Sequence, residues 1–195
     1  MNFLAHVHLS ADDEQLMIGN FIGDFVKGGS LEGRYAPQII KGIELHRAID
    51  HYTDNHDVVK ASKNRLRPKY RHYSGVIVDM YYDHFLSKNW EAYHHLPLSA
   101  FANQFYSLLQ SNEHLLPAGV LRMMPYMIRG NWLVNYSKTE GIDRALTGMS
   151  RRTTFDSKMD EAAQDLVKNY ESFEEEFKLF FPSLKQFSEK WIASN

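Results

Sequence analysis

The sequence contains no cysteine, and this absence excludes two common kinds of structural centre. Its 195 residues can form neither a disulfide framework nor a thiolate metal site. Any metal ion that the protein binds must therefore take its ligands from His, Asp, Glu or Asn. The absence of cysteine also fits a reducing compartment, where disulfides rarely persist.

Other absences narrow the class of protein further. No segment approaches the ~18 consecutive apolar residues of a membrane helix. The first residues, MNFLAHVHLSADDE, lack the basic start and long apolar stretch of a signal peptide. The formal net charge of −2 argues against a general nucleic-acid-binding protein, which would be strongly basic. We therefore expect a cytoplasmic protein that binds neither membrane nor nucleic acid; its oligomeric state is left open.

The residues that are present predict an all-α fold. Hydrophobic residues make up 44% of the chain and aromatic residues 13%, which is enough for one large core. Apolar residues recur at helical spacing nearly throughout, and we find no alternating strand, hairpin signal or repeat. No linker divides the chain, so residues 1–195 are interpreted as a single domain, a helical bundle.

Capping residues and prolines predict where the helices begin and end. Ser10 with Asp13 is typical of a capping box, for a helix that would continue through GNFIGDFV. A helix beginning at Pro37 should break at Thr53 or Asp54. We expect Pro125 to kink or break a later helix and Pro182 to split the last one. The aromatic residues of that last helix should face the core or a dimer seam: Phe173, Phe177, Phe180 and Phe181.

The segment 45–56, LHRAIDHYTDNH, places acids and imidazoles on nearly every turn of a predicted helix. His46 and Asp50 are four residues apart and therefore project from the same face. The pair could be an ordinary surface ion pair, or part of a site.

Three further carboxylates fall within apolar helical segments. Asp79 and Asp83 are four residues apart in VIVDMYYDHF, and Asp24 lies in IGNFIGDFV. Burying such groups costs several kcal/mol each unless a cation or strong donors compensate. A divalent metal ion or paired arginines would serve. His6 and His8 in FLAHVHL are by themselves more typical of core histidines.

Taken together, these segments predict one metal site in the bundle core. A His and Asp donor set without thiolate suits Mn²⁺, Mg²⁺ or Fe²⁺ better than a structural zinc ion. Such an ion activates water and neutralises phosphate oxygens, which favours phosphoester hydrolysis. The candidate catalytic and metal-binding residues are Asp24, His46, Asp50, Asp79 and Asp83.

Four segments, MNFLAHVHL, GNFIGDFVKG, GIELHRAIDHYTD and VDMYYDHFLSKNW, occur in an order and at separations that resemble the acyl carrier protein phosphodiesterase family. WLVNY and GMSRR are similar to further landmarks of that family. The resemblance implies an HD-domain-like fold and hydrolysis of the 4′-phosphopantetheine arm from holo-acyl carrier protein with Mn²⁺. It also implies metal-site roles for the five residues above, with His6 and His8 as additions. The only His-Asp dipeptide, His56-Asp57, lies outside these segments, so the usual HD motif is absent.

Basic residues predict how the carrier, a strongly acidic protein, would be bound. Residues 60–72, KASKNRLRPKYRH, contain six Lys or Arg and no acid, so we call them the basic strip and assign carrier contacts to Arg65 and Arg67. Arg47, Arg151 and Arg152 are candidates for phosphate contacts. The strip could equally be a solvated basic face.

The proton for the leaving serine could come from His8 or His84. Two other functions remain open from sequence: hydrolysis of a small phosphoester or nucleotide at the same site, and a non-catalytic helical module that binds acidic partners.

Overall fold

The computed structural model describes all 195 residues, and it confirms the all-α prediction because it contains helices and no β-strand. No helix combines the length and apolar character that crossing a membrane would need. The α-helices, in chain order, are α1 Phe3–His8, α2 Glu14–Ile22, α3 Pro37–Asn55, α4 Asp57–Tyr70, α5 Ser74–Lys88, α6 Leu98–Ser111, α7 Ala118–Arg129, α8 Trp132–Asn135, α9 Thr139–Ser150, α10 Ala162–Lys168 and α11 Tyr170–Ser194.

Helices α2 and α3 pack closely because each has a glycine at their contact. A Cβ atom on Gly19 would lie 2.1 Å from the carbonyl oxygen of Ile39 and 2.8 Å from the Cα atom of Gly42. A Cβ atom on Gly23 would lie 2.3 Å from the ring of His46. Only glycine permits this approach, which brings the end of α2 against the middle of α3.

Helix α5 lies in the core and packs against the aromatic face of α11. Tyr81 contacts Phe173 with ring centroids 5.0 Å apart, and Tyr82 contacts Phe177 at 5.8 Å. The predicted aromatic face is fully buried within the chain. It therefore belongs to the core and does not form a dimer seam.

Three predicted boundaries are wrong by a few residues. Asp13, and not Ser10, is the N-cap of α2, since its Oδ1 accepts the backbone N–H of Leu16 at 2.9 Å. Helix α2 ends at Ile22 and a 3₁₀ turn follows from Gly23 to Phe25. The break after α3 falls at His56, two residues beyond Asp54, where the His56 side chain accepts the N–H of Val58.

The predicted break at Pro182 is wrong, and no break occurs at Pro125. Pro125 lies inside α7 and Pro182 inside α11, and both helices continue past the proline. Pro182 and Lys178, whose carbonyl loses its helical partner, are both exposed. Water can hydrate that carbonyl, so the proline is tolerated. The break after α7 falls instead at Asn131, which has a left-handed backbone with φ of 41°.

Candidate metal centre

Three segments that are distant in sequence bring two histidines and two aspartates together. Nε2 of His6 lies 3.2 Å from Oδ1 of Asp50, and Nε2 of His46 lies 3.2 Å from Oδ2 of the same carboxylate. Nε2 of His46 is also 3.3 Å from Oδ1 of Asp24. We call these four residues the His/Asp cluster. The ligand atoms of His6, His46 and Asp50 are close enough to one another to bind a single metal ion.

Asn20 on α2 orients both histidines. Its Nδ2 atom donates to the carbonyl of His6 at 2.6 Å, which fixes its Oδ1 atom as the acceptor that faces Nδ1 of His6 at 2.8 Å. The backbone carbonyl of Asn20 accepts from Nδ1 of His46 at 2.7 Å. Each imidazole therefore carries a proton on Nδ1. The sequence did not predict this role of Asn20. The only signal for it was a polar residue within an apolar helical segment, one turn before Asp24.

When both rings are neutral, this arrangement points two nitrogen lone pairs at one carboxylate. Nε2 of His6 is buried and makes no hydrogen bond, although Asp50 is close. Metal-binding histidines commonly donate their other N–H to a carbonyl or amide oxygen in this way. The donor set thus fits a divalent cation and has an orphaned buried atom that such a cation would satisfy.

The charges in the cluster are strongly coupled. Burial lowers the pKa of His6, and the neighbouring His46 lowers it further. Burial alone would lower the pKa of His46, but hydrogen bonds with Asp24 and Asp50 raise it to about 9. Burial opposes ionisation of Asp50, yet its contacts with His46 and His6 hold the pKa of this carboxyl well below its usual range. The cluster therefore needs a positive charge between its acceptors, and a proton on His46 or a metal ion supplies one.

Asp79 lies beside the cluster, and the α-amino group of Met1 bridges Asp79 and Asp50. That nitrogen is 3.1 Å from Oδ1 of Asp79 and 3.4 Å from Oδ1 of Asp50. Burial would lower the pKa of the amine, but Asp79 and Asp50 raise it to about 10. The ion pairs of Asp24, Asp50 and Asp79 are made with histidines and this amine rather than with arginine or lysine.

The prediction that the site lies in the bundle core is wrong for two of its carboxylates. The side chain of Asp24 is 68% exposed and that of Asp50 is 36% exposed. Asp24 lies at the surface because α2 ends at Ile22 and Asp24 is part of the 3₁₀ turn that follows. The cluster thus lies at an open edge of the bundle, where a large substrate can reach it.

Asp83, predicted as a metal ligand, is not placed in the cluster. It is fully buried and accepts the backbone N–H groups of Leu4 at 2.8 Å and Ala5 at 3.2 Å. Burial raises its pKa to about 7, although these two hydrogen bonds oppose the rise. Both carboxyl oxygens are engaged, so Asp83 caps the first turn of α1, the helix that carries His6.

His8 and His84 also lie outside the cluster. His8 is two residues from His6, so it leaves α1 on another side and packs against Trp90 and Phe181. Burial lowers its pKa to about 3, and neither of its ring nitrogens has a hydrogen-bond partner. His84 uses Nδ1 to donate to the carbonyl of Tyr136 and Nε2 to accept from the hydroxyl of Tyr170. Neither histidine is arranged to protonate a group bound at the cluster.

A second group of possible ligands consists of Asp12, His94 and His95. Nδ1 of His94 accepts the N–H of Leu96 at 3.0 Å. The ring therefore carries its proton on Nε2, which faces Oδ1 of Asp12 at 3.4 Å. A hydrogen bond already accounts for this contact, so we do not interpret the group as a metal site.

The basic strip is largely neutralised within the chain, which weakens its predicted role in carrier binding. Arg65 forms two hydrogen bonds with Glu176 of α11, at 2.8 and 2.7 Å, and its guanidinium lies over the ring of Phe173. All three lysines of the strip have carboxylate partners too: Lys60 with Asp57, Lys63 with Asp54, and Lys69 with Glu161 and Asp165. Arg65 is thus a packing residue, and of the two predicted contact residues only the exposed Arg67 has no ion pair.

The other predicted arginines lie elsewhere on the surface. Arg47 follows His46 on α3 and is exposed without a carboxylate partner, and Arg151 is exposed at the end of α9. Arg152 donates Nε to the carbonyl of Gly148 and lines a cleft of about 800 Å³ between α7 and α9. Nothing in the spacing of the sequence indicated this cleft, because its walls come from five separate segments.

Histidine and aspartate donors converging from several helices are typical of metallohydrolases. Comparison with known proteins identifies the family. The family model described as acyl carrier protein phosphodiesterase matches residues 1–184. The acyl carrier protein phosphodiesterase of Klebsiella pneumoniae is 35% identical over 97% of this chain and 98% of its own. That of Photorhabdus laumondii is 32% identical over 97% of this chain and 96% of its own.

The chain belongs to the acyl carrier protein phosphodiesterase family and is a hydrolase that acts on a phosphodiester bond. No solved structure matches it. The HD-domain-like fold therefore stays a prediction, while the all-α class is confirmed.

Proposed function

We propose that this chain hydrolyses the phosphodiester bond between 4′-phosphopantetheine and the serine of holo-acyl carrier protein, releases the apo-carrier, and depends on Mn²⁺ to do so. The reaction would reset carriers of fatty acid biosynthesis in the cytoplasm. The substrate in this proposal is the acyl carrier protein, which the names of the relatives of this chain specify. The observation that supports a metal ion is the bare Nε2 atom of His6, which faces Asp50 beside Nε2 of His46.

His6, His46 and Asp50 are the residues that would hold the ion, with the carboxylate of Asp24 beside them. Nitrogen and oxygen donors without thiolate suit Mn²⁺, and Mg²⁺ or Fe²⁺ are the alternatives. When bound, a divalent cation supplies Lewis acidity towards phosphate oxygens. Asn20 keeps both imidazoles in the tautomer that presents Nε2, so the ligands are preorganised.

The surroundings of the cluster suit a substrate attached to a protein. The exposed carboxylate of Asp24 leaves the cluster open on one side. A phosphodiester close to the surface of a folded carrier can approach only such an open site. Arg47 is exposed one residue after His46 and has no carboxylate partner, so it is available to bind a phosphate oxygen.

The test is to incubate the protein with holo-carrier and Mn²⁺ and to follow loss of the arm by mass spectrometry. We expect the wild type to release it, a chelator to stop the reaction, and added Mn²⁺ to restore it. Asp50→Asn should abolish release. The matched control is Asp57→Asn, since this aspartate is 98% exposed on α4 and outside the cluster.

Failure of the wild type to release the arm, or full activity in Asp50→Asn, would contradict the proposal. Release of phosphate from small phosphoesters alone would favour the small-molecule hydrolase instead. Binding of carriers without any hydrolysis would favour the non-catalytic module.

A further inference from the structure

The cleft between α7 and α9 is a cavity that is open to solvent. Its volume of about 800 Å³ is that of a site for a medium-sized organic ligand. Its apolar wall residues include Met123, Tyr126, Trp132 and Met149. Tyr126 is 65% exposed, which is unusual for a large aromatic residue that has no partner. Methionine adapts to ligands of irregular shape.

Three arginines give the cleft a positive edge. Arg122, Arg144 and Arg152 all line it and are exposed. None of them has a carboxylate partner, in contrast with most of the basic strip. Unpaired arginines around an apolar cleft match an occupant that has an apolar stretch and carries, or is attached to, negative charge.

Two residues of the cleft wall are close in sequence to residues of the His/Asp cluster. Phe25 forms part of its wall and directly follows Asp24 in the chain. Phe3 forms another part and lies on α1 between Met1, whose amine contacts Asp50, and His6. A chain that extends from a phosphate at the cluster would pass these two rings if it enters the cleft.

We propose that this cleft binds the pantetheine arm of the carrier, with the apolar walls against its methyl and methylene carbons and the three arginines facing acidic groups of the carrier. The inference rests on the proposed function, because it assigns the cleft to the same substrate. It adds a binding site that the cluster residues do not include.

Gly148 offers a way to fill the cleft without disturbing the fold. It lines the cleft on α9, and a Cβ atom added there would meet no atom within 4 Å. Leucine also favours a helix more than glycine does. The matched control is Gly75→Leu on α5, where the only neighbour of an added Cβ is the Lys63 side chain at 3.8 Å. Thermal unfolding would check that both variants are folded.

The measurement is calorimetric binding of two probes, 4′-phosphopantetheine and phosphate-free pantetheine, in the presence of Mn²⁺. We expect Gly148→Leu to weaken the binding of both probes by about tenfold or more and Gly75→Leu to leave it unchanged. Equal affinity in Gly148→Leu and the wild type would overturn the inference, as would binding of the phosphorylated probe alone.

The same variants separate this inference from the proposed function. If the wild type releases no arm from holo-carrier, the proposed function fails, and the two binding titrations still decide whether the cleft takes the arm. If the wild type is active, and Gly148→Leu and Gly75→Leu have the same KM for holo-carrier, the cleft assignment fails while the proposed function stands.

Discussion

The imidazole rings of His6 and His46 stack with their centroids 4.0 Å apart and an angle of 19° between their planes, and both direct Nε2 towards Asp50. Two imidazolium ions in this position would repel each other strongly. At most one ring can therefore be protonated, and the other must present a lone pair. A metal ion bound beside both Nε2 atoms would remove this conflict, because both rings could then stay neutral and share one cation.

Asn20→Ala tests whether the orientation of the histidines matters for metal binding. The change removes the acceptor for Nδ1 of His6 and the donor to the carbonyl of His6. We expect Mn²⁺ affinity to fall about 10–100-fold and stability to fall by about 1–3 kcal/mol for each group left unsatisfied. Calorimetry and thermal unfolding measure the two effects.

The control for this change is Asn112→Ala, since the Asn112 side chain bonds only the carbonyl of Leu108 in α6, the helix that ends just before it. It should keep wild-type affinity for Mn²⁺. A folded Asn20→Ala protein that also binds Mn²⁺ as tightly as the wild type would rule out the orienting role.

Mn²⁺ should raise the melting temperature of the folded chain. An ion present at about 100 times its Kd stabilises a protein by about 2.7 kcal/mol, which for a chain of this size is a shift of roughly 5–10 °C. Asp50→Asn should lose this shift because Asp50 contacts both histidines. Asp57→Asn should keep it, and a full shift in Asp50→Asn would place the ion elsewhere.

The His46 and Asp50 pair was predictable because it follows a local rule. Residues four apart on a helix share a face, and their side chains do meet at 3.2 Å. The roles of Asn20 and Asp83 were not predictable, since they depend on how α1 sits against α2 and α5. Sequence also could not separate His6 from His8, because only the orientation of α1 decides which ring faces α3.

The same limit explains the basic strip. The sequence of residues 60–72 contains no acid, yet Glu176 of α11, 111 positions after Arg65, neutralises that arginine. Long-range ion pairs follow no spacing rule, so an apparent positive surface can be internally paired. The arginines of the cleft have no such partner, and they come from α7 and from α9 with the residues just after it.

Asp83→Asn should destabilise the chain without removing metal binding. The carboxyl accepts two backbone N–H groups of α1, and an amide offers one acceptor oxygen and places an NH₂ group against the second N–H. We expect a loss of about 1–3 kcal/mol in denaturant unfolding, with Mn²⁺ affinity close to that of the wild type. Loss of Mn²⁺ binding by a folded Asp83→Asn protein would return Asp83 to the ligand set.

Asp165 should make stability depend on pH. Burial would raise its pKa, but hydrogen bonds from Lys69 and Tyr70 lower the pKa below its usual value. A carboxylate with a lowered folded-state pKa stabilises the fold above its unfolded pKa of ~3.9. That contribution is lost as pH falls through the folded-state pKa.

The melting temperature of Asp165→Asn should therefore be below that of the wild type at pH 7, with the difference shrinking as the pH falls from about 5 to about 2. Asp143→Asn is the control, since Asp143 is exposed and has no ion pair. A difference between wild type and Asp165→Asn that is independent of pH would show that the carboxylate charge is not what stabilises the contact.

Charge reversal separates the two basic surfaces. Arg144→Glu places a negative charge at the cleft, and we expect it to raise KM for holo-carrier by about tenfold or more, because juxtaposed like charges cost several kcal/mol. Arg65→Glu should instead lower the melting temperature, because it places two acids against each other at Glu176, and it should leave KM nearly unchanged.

Steady-state kinetics with holo-carrier and with a small phosphodiester measure both variants, and added salt should reduce the effect of Arg144→Glu on KM. If Arg65→Glu raises KM and Arg144→Glu does not, the carrier binds along the basic strip rather than over the cleft.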